Sequence, residues 1–246
     1  MKNNTQEHHA VAVAQRTARV DMYTGIHKAL RALMADTLVA VGRMDPTDTA
    51  DLATVTGRVL ELLDFCALHI AHENRFVHAA VEARAPGGSE VIDHEHQDHQ
   101  RHIDDIKSAV AALWSSPDTR GAAPAVLALY RDLALFVAEN FQHMHVEETV
   151  LNAVLWARYT DAELVEIHNK LVASILPADM MFILRWMVPY MNPAERVAML
   201  SDMQAHAPAT AFAAALEVVQ PHLTVPEWAK LTRGLGIAPA PGLVQV

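Results

Sequence analysis

The chain has 246 residues, with 19 Lys and Arg against 29 Asp and Glu, and a formal net charge of −10 at pH 7. That acidity argues against nucleic acid and anionic membrane surfaces as partners, because both repel carboxylates. Fifteen histidines stand beside a single cysteine, Cys66, which excludes a disulfide framework, a zinc ribbon and a cysteine-ligated iron–sulfur cluster. The surplus of histidine is therefore the feature that needs a chemical explanation.

The first two thirds of the chain are predicted to form four long helices, because apolar residues recur at three- and four-residue steps between widely spaced breakers. The four segments run from about Met22 to Pro46, from Thr47 or Thr49 to Pro86-Gly87-Gly88, from about Glu90 to Trp114 before Ser115-Ser116-Pro117, and from about Ala125 to Arg158. Strand signals are absent from the sequence. Long helices with short connections predict an all-α, up-down-up-down four-helix bundle.

Beyond Thr160 the sequence predicts an extension of shorter helices, punctuated by proline and ending in a loose tail over Pro239–Gly242. Expected helix starts are Asp161 as an N-cap, Asn192 before Pro193, and Thr224 with Glu227 three residues later. We therefore divide the chain into a bundle with an N-terminal lead over residues 1–159 and a helical extension over residues 160–246. The extension would pack on the bundle or form a homodimer interface.

No targeting or membrane segment is predicted. The residues Met1–Glu7 contain no apolar core of a signal peptide. The most apolar stretch, Met180 to Met191, carries Arg185 and Pro189 and is far shorter than the roughly 20 residues that a bilayer requires. We expect a cytoplasmic protein without a membrane partner, in which Met180–Val188 is buried in a core or an interface.

Two His-x-x-x-Glu pairs carry the clearest chemical signal: His69 with Glu73 on the second helix, and His143 with Glu147 on the fourth. At a rise of about 1.5 Å per residue, each pair lies on one helix face, about 6 Å apart along the axis. In an up-down-up-down bundle the second and fourth helices run the same way, so the two pairs can face each other across the core. Imidazole together with carboxylate suits iron, manganese or zinc better than calcium or magnesium.

The other two helices each contribute a histidine by register. His27 is followed by apolar residues at +3, +7, +11 and +14, and His99 reproduces this pattern closely among His94, His96, His99 and His102. The chain then consists of two tandem helical hairpins, each supplying one His and then His-x-x-x-Glu. The predicted metal ligands are His27, His69, Glu73, His99, His143 and Glu147, with His96 and then His102 as alternatives to His99.

A lone buried histidine is more often a hydrogen-bonded packing residue than a ligand. Two carboxylates and four imidazoles on inward faces are different, because burying them without a compensating charge costs on the order of several kcal/mol each. A pair of metal ions removes that cost. Metal binding is therefore the favoured interpretation, and a metal-free helical interaction protein is its competitor.

These segments resemble the haemerythrin-like (HHE cation-binding) domain family. The resemblance rests on Tyr23–Leu30, His69–Glu73 and His143–Glu148 and covers roughly residues 16–158. It implies a four-helix bundle holding two iron ions (Fe2+/Fe3+), bridged by the two glutamates and an oxo or hydroxo group, with zinc or manganese less favoured. The chain departs from the family in having Asn74 where a second acidic residue is common, and in having no two histidines four apart on the third helix.

The resemblance implies dioxygen, nitric oxide or peroxide as the small-molecule partner. The first functional hypothesis is a module that binds metal and dioxygen or nitric oxide for sensing, storage or stress response. The alternative is an enzyme that uses the same centre to decompose peroxide, like a catalase or peroxidase, or to deliver iron to damaged iron–sulfur clusters. The missing histidine on the third helix favours sensing or redox chemistry over reversible oxygen carriage.

Four residues near the predicted ligands also need an interpretation. His72 is either an additional ligand or a solvent-facing side chain, and Tyr23 either contacts a bound ligand or is a core tyrosine. Cys66 is expected to be a small buried hydrophobe rather than a redox partner. His145, two residues after His143, is expected at the surface.

Overall fold

The computed structural model describes residues 19–115 and 122–238, and within those ranges it is helical and contains no β-strand. The α-helices are α1 (Thr24–Arg43), α2 (Thr49–His72), α3 (Ala79–Arg84), α4 (Glu90–Ser115), α5 (Ala122–Val146), α6 (Asn152–Arg158), α7 (Asp161–Ala173), α8 (Pro177–Met187), α9 (Pro193–His206), α10 (Ala209–Val219) and α11 (Val225–Gly234). The expected N-terminal lead over residues 1–18, the stop signal at Ser116-Pro117 and the tail from Pro239 lie outside the described residues. The all-α prediction is confirmed.

Two of the four predicted long helices are interrupted by a wider turn. The π-helical segment Glu73–His78 joins α2 to α3, and the π-helical segment Glu147–Leu151 joins α5 to α6. The first and third predicted helices are continuous and correspond to α1 and α4. Each interruption begins at the glutamate of a His-x-x-x-Glu pair, so the local geometry departs from α-helix at the residues of chemical interest.

Contacts between Cα atoms divide the described chain into two compact units. The first comprises residues 19–24 and Met34–Ser174. One core cluster of this unit consists of Tyr23, Val77, Ala80, Val81, Ile92, Leu151, Leu155 and Leu164. These side chains come from both π-helical segments, from α3, α4, α6 and α7, and from Tyr23 just before α1. Apolar packing therefore supports the ends of the interrupted helices.

Within the described residues, the second unit comprises Gly25–Leu33 and residues 175–238. Its core contains Leu184, Val188, Leu200, Ala215, Val219, Leu231 and Leu235. The expected burial of Met180–Val188 is confirmed for Ile183, Leu184, Trp186 and Val188, whereas Arg185 is exposed and the other members are partly buried. The buried Arg196 donates from Nε to the carbonyl of Val188 at 3.0 Å and from a terminal nitrogen to Glu227 at 2.9 Å. Its charge is thereby paired inside the unit.

Three capping boxes start helices in the C-terminal part, one of them at a residue other than the predicted one. The cap of α7 is Thr160, whose side chain and that of Glu163 satisfy each other's backbone N–H groups. The expectation that Asp161 caps this helix is wrong, because its carboxylate accepts from Arg19 Nε at 2.7 Å instead. Asn192 with Glu195 and Thr224 with Glu227 form the other two boxes. Both of those predicted starts are confirmed.

In the part of the chain that the structure describes, no single helix is long and apolar enough to cross a membrane. The helices Asp161–Ala173 and Pro177–Tyr190 reach the required length and hydropathy only when they are counted together across the break between them.

Candidate metal centre

Two groups of histidine and glutamate side chains can each present four ligand atoms that lie within 4.8 Å of one another. The first group consists of His27, His69, Glu73 and Glu147, and the second of Glu73, His96, His143 and Glu147. Glu73 and Glu147 belong to both groups. Apart from His69, which is partly buried, every member is buried, and Glu147 is 0 % exposed.

The two His-x-x-x-Glu pairs are held by local helical geometry. His69 Nε2 lies 3.1 Å from Glu73 Oε1, and His143 Nε2 lies 3.3 Å from Glu147 Oε1. Side chains four residues apart share one helix face, so each imidazole meets its carboxylate without help from another element. Of the six predicted ligands, the structure places His27, His69, Glu73 and Glu147 in the first group and Glu73, His143 and Glu147 in the second.

Helix α4 supplies His96 to the second group rather than His99. His96 Nε2 lies 3.5 Å from Glu73 Oε2 and 3.7 Å from Glu147 Oε1. The buried His99 ring packs edge-on against His143, with centroids 4.7 Å apart, and belongs to neither group. His102 Nδ1 lies 3.2 Å from Glu139. His96, an alternative in the sequence prediction, is therefore the histidine of α4 that the structure places among the candidate ligands.

Polar side chains near the histidines orient the rings of the second group. His143 Nδ1 donates to Glu95 Oε2 at 2.7 Å, and His96 Nδ1 donates to Asn74 Oδ1 at 2.7 Å. A carboxylate can only accept a hydrogen bond, so the proton of His143 is assigned to Nδ1. Metal-binding imidazoles typically have such a partner, which leaves Nε2 to coordinate. Asn74 and Glu95 were missed by sequence reasoning, because nothing in the spacing marks them.

The two Nε2 atoms of the second group lie unusually close together. His96 Nε2 and His143 Nε2 are 2.9 Å apart, and with both Nδ1 atoms donating, two lone pairs would face each other. A proton or a metal ion between them relieves that repulsion. Two nitrogens at right angles around one metal, each at about 2.1 Å from it, lie about 3 Å apart. The separation therefore fits two ligands of one ion.

Burial and the nearby carboxylates set the pKa values of the histidines in and beside the second group. Burial opposes a proton on His143, but the Glu147 and Glu95 carboxylates outweigh burial and raise its pKa to about 9. The pKa of His99 is lowered to about 3, chiefly by burial and then by the neighbouring His143 and His96. The negative charge of the glutamates thus attracts a cation to the His143 side of the site, while His99 stays neutral.

His78, the last residue of the first π-helical segment, also lies at the centre although sequence reasoning assigned it nothing. Its side chain is 3 % exposed, and its Nε2 lies 3.5 Å from Glu147 Oε1. Its ring stacks on that of His96 with centroids 4.8 Å apart. The five-residue step from Glu73 is the only signal that could have indicated it, and only with knowledge of the π-helical turn.

The other residues singled out in the sequence near the predicted ligands differ in how deeply they are buried. Tyr23 is fully buried, and its hydroxyl pKa is raised by burial and by the negative Glu147 and Glu73, which places it within electrostatic range of the centre. Cys66 is buried, as predicted, and burial raises its thiol pKa. His72 is half-buried with its ring 6.4 Å from that of Phe76, and His145 is exposed, as predicted.

The donor set fits a pair of transition-metal ions. Imidazole nitrogens and carboxylate oxygens suit iron, manganese or zinc, and two buried carboxylates held in common are suited to lie between two ions. The family model described as Hemerythrin HHE cation binding domain matches residues 18–155, a span that includes every member of both groups. No curated protein and no solved structure matches the chain. From the extent of the family match, this chain belongs to the hemerythrin HHE cation-binding domain family.

Proposed function

We propose that the chain is a non-haem di-iron protein with one iron at each of the two groups. The observation that carries this proposal is that Glu73 and Glu147 belong to both groups, so that one pair of carboxylates would serve two adjacent ions. His27 and His69 complete the first site, and His96 and His143 complete the second. His99 remains the ligand that the sequence predicts from α4, and it is therefore the matched residue against which His96 has to be tested.

We infer that the physiological partner is a small molecule such as dioxygen or nitric oxide, bound for sensing, storage or stress response. Iron supplies a Lewis acid and a redox-active centre when it is bound. The protein residues exclude bulk water, since five of the six proposed ligands are buried. Tyr23 adds a buried hydroxyl near the carboxylates, which can donate a hydrogen bond to a small polar ligand. Burial of this kind favours diatomic molecules over larger substrates.

The architecture we propose around the centre is the up-down-up-down bundle of α1, α2, α4 and α5, with residues 160–246 as its helical extension. Ion pairs support three of the helix neighbours: Asp36 with Arg58, Asp64 with Lys107 and Glu139 with His102. We also propose that the protein forms a homodimer through residues 160–246 and that it is cytoplasmic. Sedimentation of the purified protein tests whether it is a dimer.

Metal analysis of the purified chain tests the proposed function directly. We expect about two irons per chain and a visible charge-transfer absorption that shifts when azide is added, because azide competes for an open coordination position. His143→Ala should lower the iron content, and His145→Ala, an exposed neighbour, should not. Protein that stays folded and colourless after ferrous iron is added in air would contradict the proposal.

A peroxide assay separates the binding function from the enzymatic alternative. Iron-loaded protein that binds nitric oxide stoichiometrically but consumes peroxide no faster than His143→Ala supports the binding module. Rapid peroxide consumption that is lost in His143→Ala would instead identify the enzyme.

A further inference from the structure

We propose that His78 is an additional metal ligand, the third imidazole of the second site. The proposal rests on the proposed function and extends it to a residue that neither of the two four-residue groups contains. Three observations carry it: the backbone geometry that delivers His78, the burial and contacts of its Nε2, and the partner that holds its Nδ1.

The π-helical turn is what brings His78 to the centre. In a regular α-helix, at about 100° per residue, a side chain five positions after Glu73 would point about 140° away from it. A turn closed by i to i+5 bonds is wider and returns the fifth position close to the side of the first. Segments of this kind occur frequently at functional sites, and here the segment runs from Glu73 to His78 itself.

The Nε2 atom of His78 is buried, and no residue that the structure describes forms a hydrogen bond with it. It lies 3.5 Å from Glu147 Oε1. Nε2 atoms of His143 and His96 lie 3.3 and 3.7 Å from the same oxygen. Three imidazole nitrogens therefore converge on one carboxylate oxygen, and a cation beside that oxygen would satisfy all three.

The Nδ1 atom of His78 is held in the same way as those of His96 and His143. It lies 3.0 Å from Asp93 Oδ1. The buried Ser89 stands between two carboxylates, with its Oγ 3.1 Å from Asp93 Oδ2 and 2.8 Å from Glu82 Oε1, and its backbone N–H donates to Glu82. Its one hydroxyl proton serves one of these two carboxylates at a time. A carboxylate that is itself held in place fixes the tautomer with Nε2 directed at the centre. The exposed His94, by contrast, has its Nδ1 atom 2.7 Å from the carbonyl oxygen of Glu90 in its own helix.

The corresponding position after Glu147 has a different role. Asn152 follows Glu147 by five residues and is fully buried, but its Nδ2 donates to Asp21 Oδ1 at 2.9 Å and its Oδ1 accepts from the backbone N–H of Met22. The second π-helical turn thus delivers a structural amide where the first delivers an imidazole. The two iron sites should consequently differ, with three imidazoles at the second and two at the first.

Spectroscopy of iron-loaded His78→Gln tests this inference, with exposed His94→Gln as the matched control. X-ray absorption should count about five imidazoles per two irons in the parent and in His94→Gln, and about four in His78→Gln. Mössbauer spectra should show two unequal iron sites in the parent that become more alike in His78→Gln. An unchanged imidazole count and unchanged spectra in His78→Gln would overturn the inference.

Two further measurements distinguish a failure of the proposed function from a failure of the proposed role of His78. Parent protein that binds no iron would refute the proposed function, whereas parent protein with two irons and a His78→Gln variant identical to it would refute only the role of His78. If His78→Gln does not fold, as judged by its helical circular dichroism, Asp93→Asn replaces it. That variant keeps the imidazole and removes the anchor, and we expect it to weaken iron binding about 10- to 100-fold. Unchanged binding and spectra in Asp93→Asn would overturn the inference.

Discussion

His96 Nε2 and His143 Nε2 lie 2.9 Å apart, and the Nδ1 atom of each ring is held by a separate acceptor, Asn74 for the one and Glu95 for the other. Because each imidazole ring is held by the hydrogen bond at its Nδ1 atom, neither ring can turn its Nε2 lone pair away from the other without losing that hydrogen bond. The pair is therefore preorganised for a positive charge, which reduces the reorganisation needed when a metal ion binds.

The first prediction concerns which histidine of α4 binds metal. We expect His96→Ala to lower the iron content from about two to about one per chain, because the second site loses a nitrogen that faces His143. His99→Ala, which changes a buried residue one turn away, should retain about two irons. Elemental analysis of both variants after reconstitution measures this directly. Iron loss in His99→Ala with full occupancy in His96→Ala would support the register-based prediction instead.

The positions of most helices could be predicted because their causes are local. Apolar periodicity and terminators such as Pro86-Gly87-Gly88 mark the helices from sequence alone. The two His-x-x-x-Glu pairs were equally accessible, since the spacing within one helix decides which side chains share a face. Asn192 and Thr224 were recognised as caps for the same reason.

The rest of the centre depends on tertiary packing. The choice between His96 and His99 depends on how α4 is rotated about its axis toward α5, and apolar periodicity leaves an uncertainty of about one turn. The π-helical segment that delivers His78 replaces α-helical bonds at no recognisable sequence signal. Glu95 is half-exposed, and only the three-dimensional arrangement shows that it contacts His143.

The second prediction concerns the carboxylate behind His143. Glu95→Gln keeps the size of the side chain but removes the charge that the Nδ1 proton of His143 faces at 2.7 Å. We expect iron affinity to fall about 10- to 100-fold, a typical effect of removing a partner of a ligating histidine. Competition with a chelator of known affinity measures the change. Asp105→Asn, an exposed carboxylate on the same helix, serves as the control, and an equal loss in both variants would argue for a general charge effect.

The third prediction concerns packing beside the centre. Phe136 is 0 % exposed, and the rings of His99 and His102 meet it edge-on at 6.2 and 5.3 Å. We expect Phe136→Ala to lower the free energy of unfolding by about 3–5 kcal/mol, because it leaves a cavity in the core. Leu135→Ala, at a position 55 % exposed, should change it by less than about 0.5 kcal/mol. Urea unfolding of the metal-free proteins compares the two without a contribution from bound metal, and similar values for both would contradict the observed burial.

The last prediction concerns how the stability of the second unit depends on pH. Hydrogen bonds from Thr224 and then from Arg196 lower the pKa of Glu227 from 4.5 to about 2. A carboxyl whose pKa is lower in the folded state stabilises the fold above its unfolded pKa, and that contribution is lost as the pH falls through the folded pKa. The stabilisation from Glu227 should therefore be complete above about pH 5 and absent below about pH 2.

Thermal unfolding of the parent and Glu227→Gln from pH 7 to pH 2 measures this contribution. We expect the variant to melt at a lower temperature at pH 7 and the two curves to converge as the pH approaches 2, because the protonated carboxyl no longer forms the ion pair with Arg196. Lys230→Gln, on the same helix without a comparable partner among the described contacts, controls for a change of one charge. A difference between parent and Glu227→Gln that stays constant down to pH 2 would show that the amide disturbs packing instead, and that the charge of Glu227 contributes nothing to the stability of the unit.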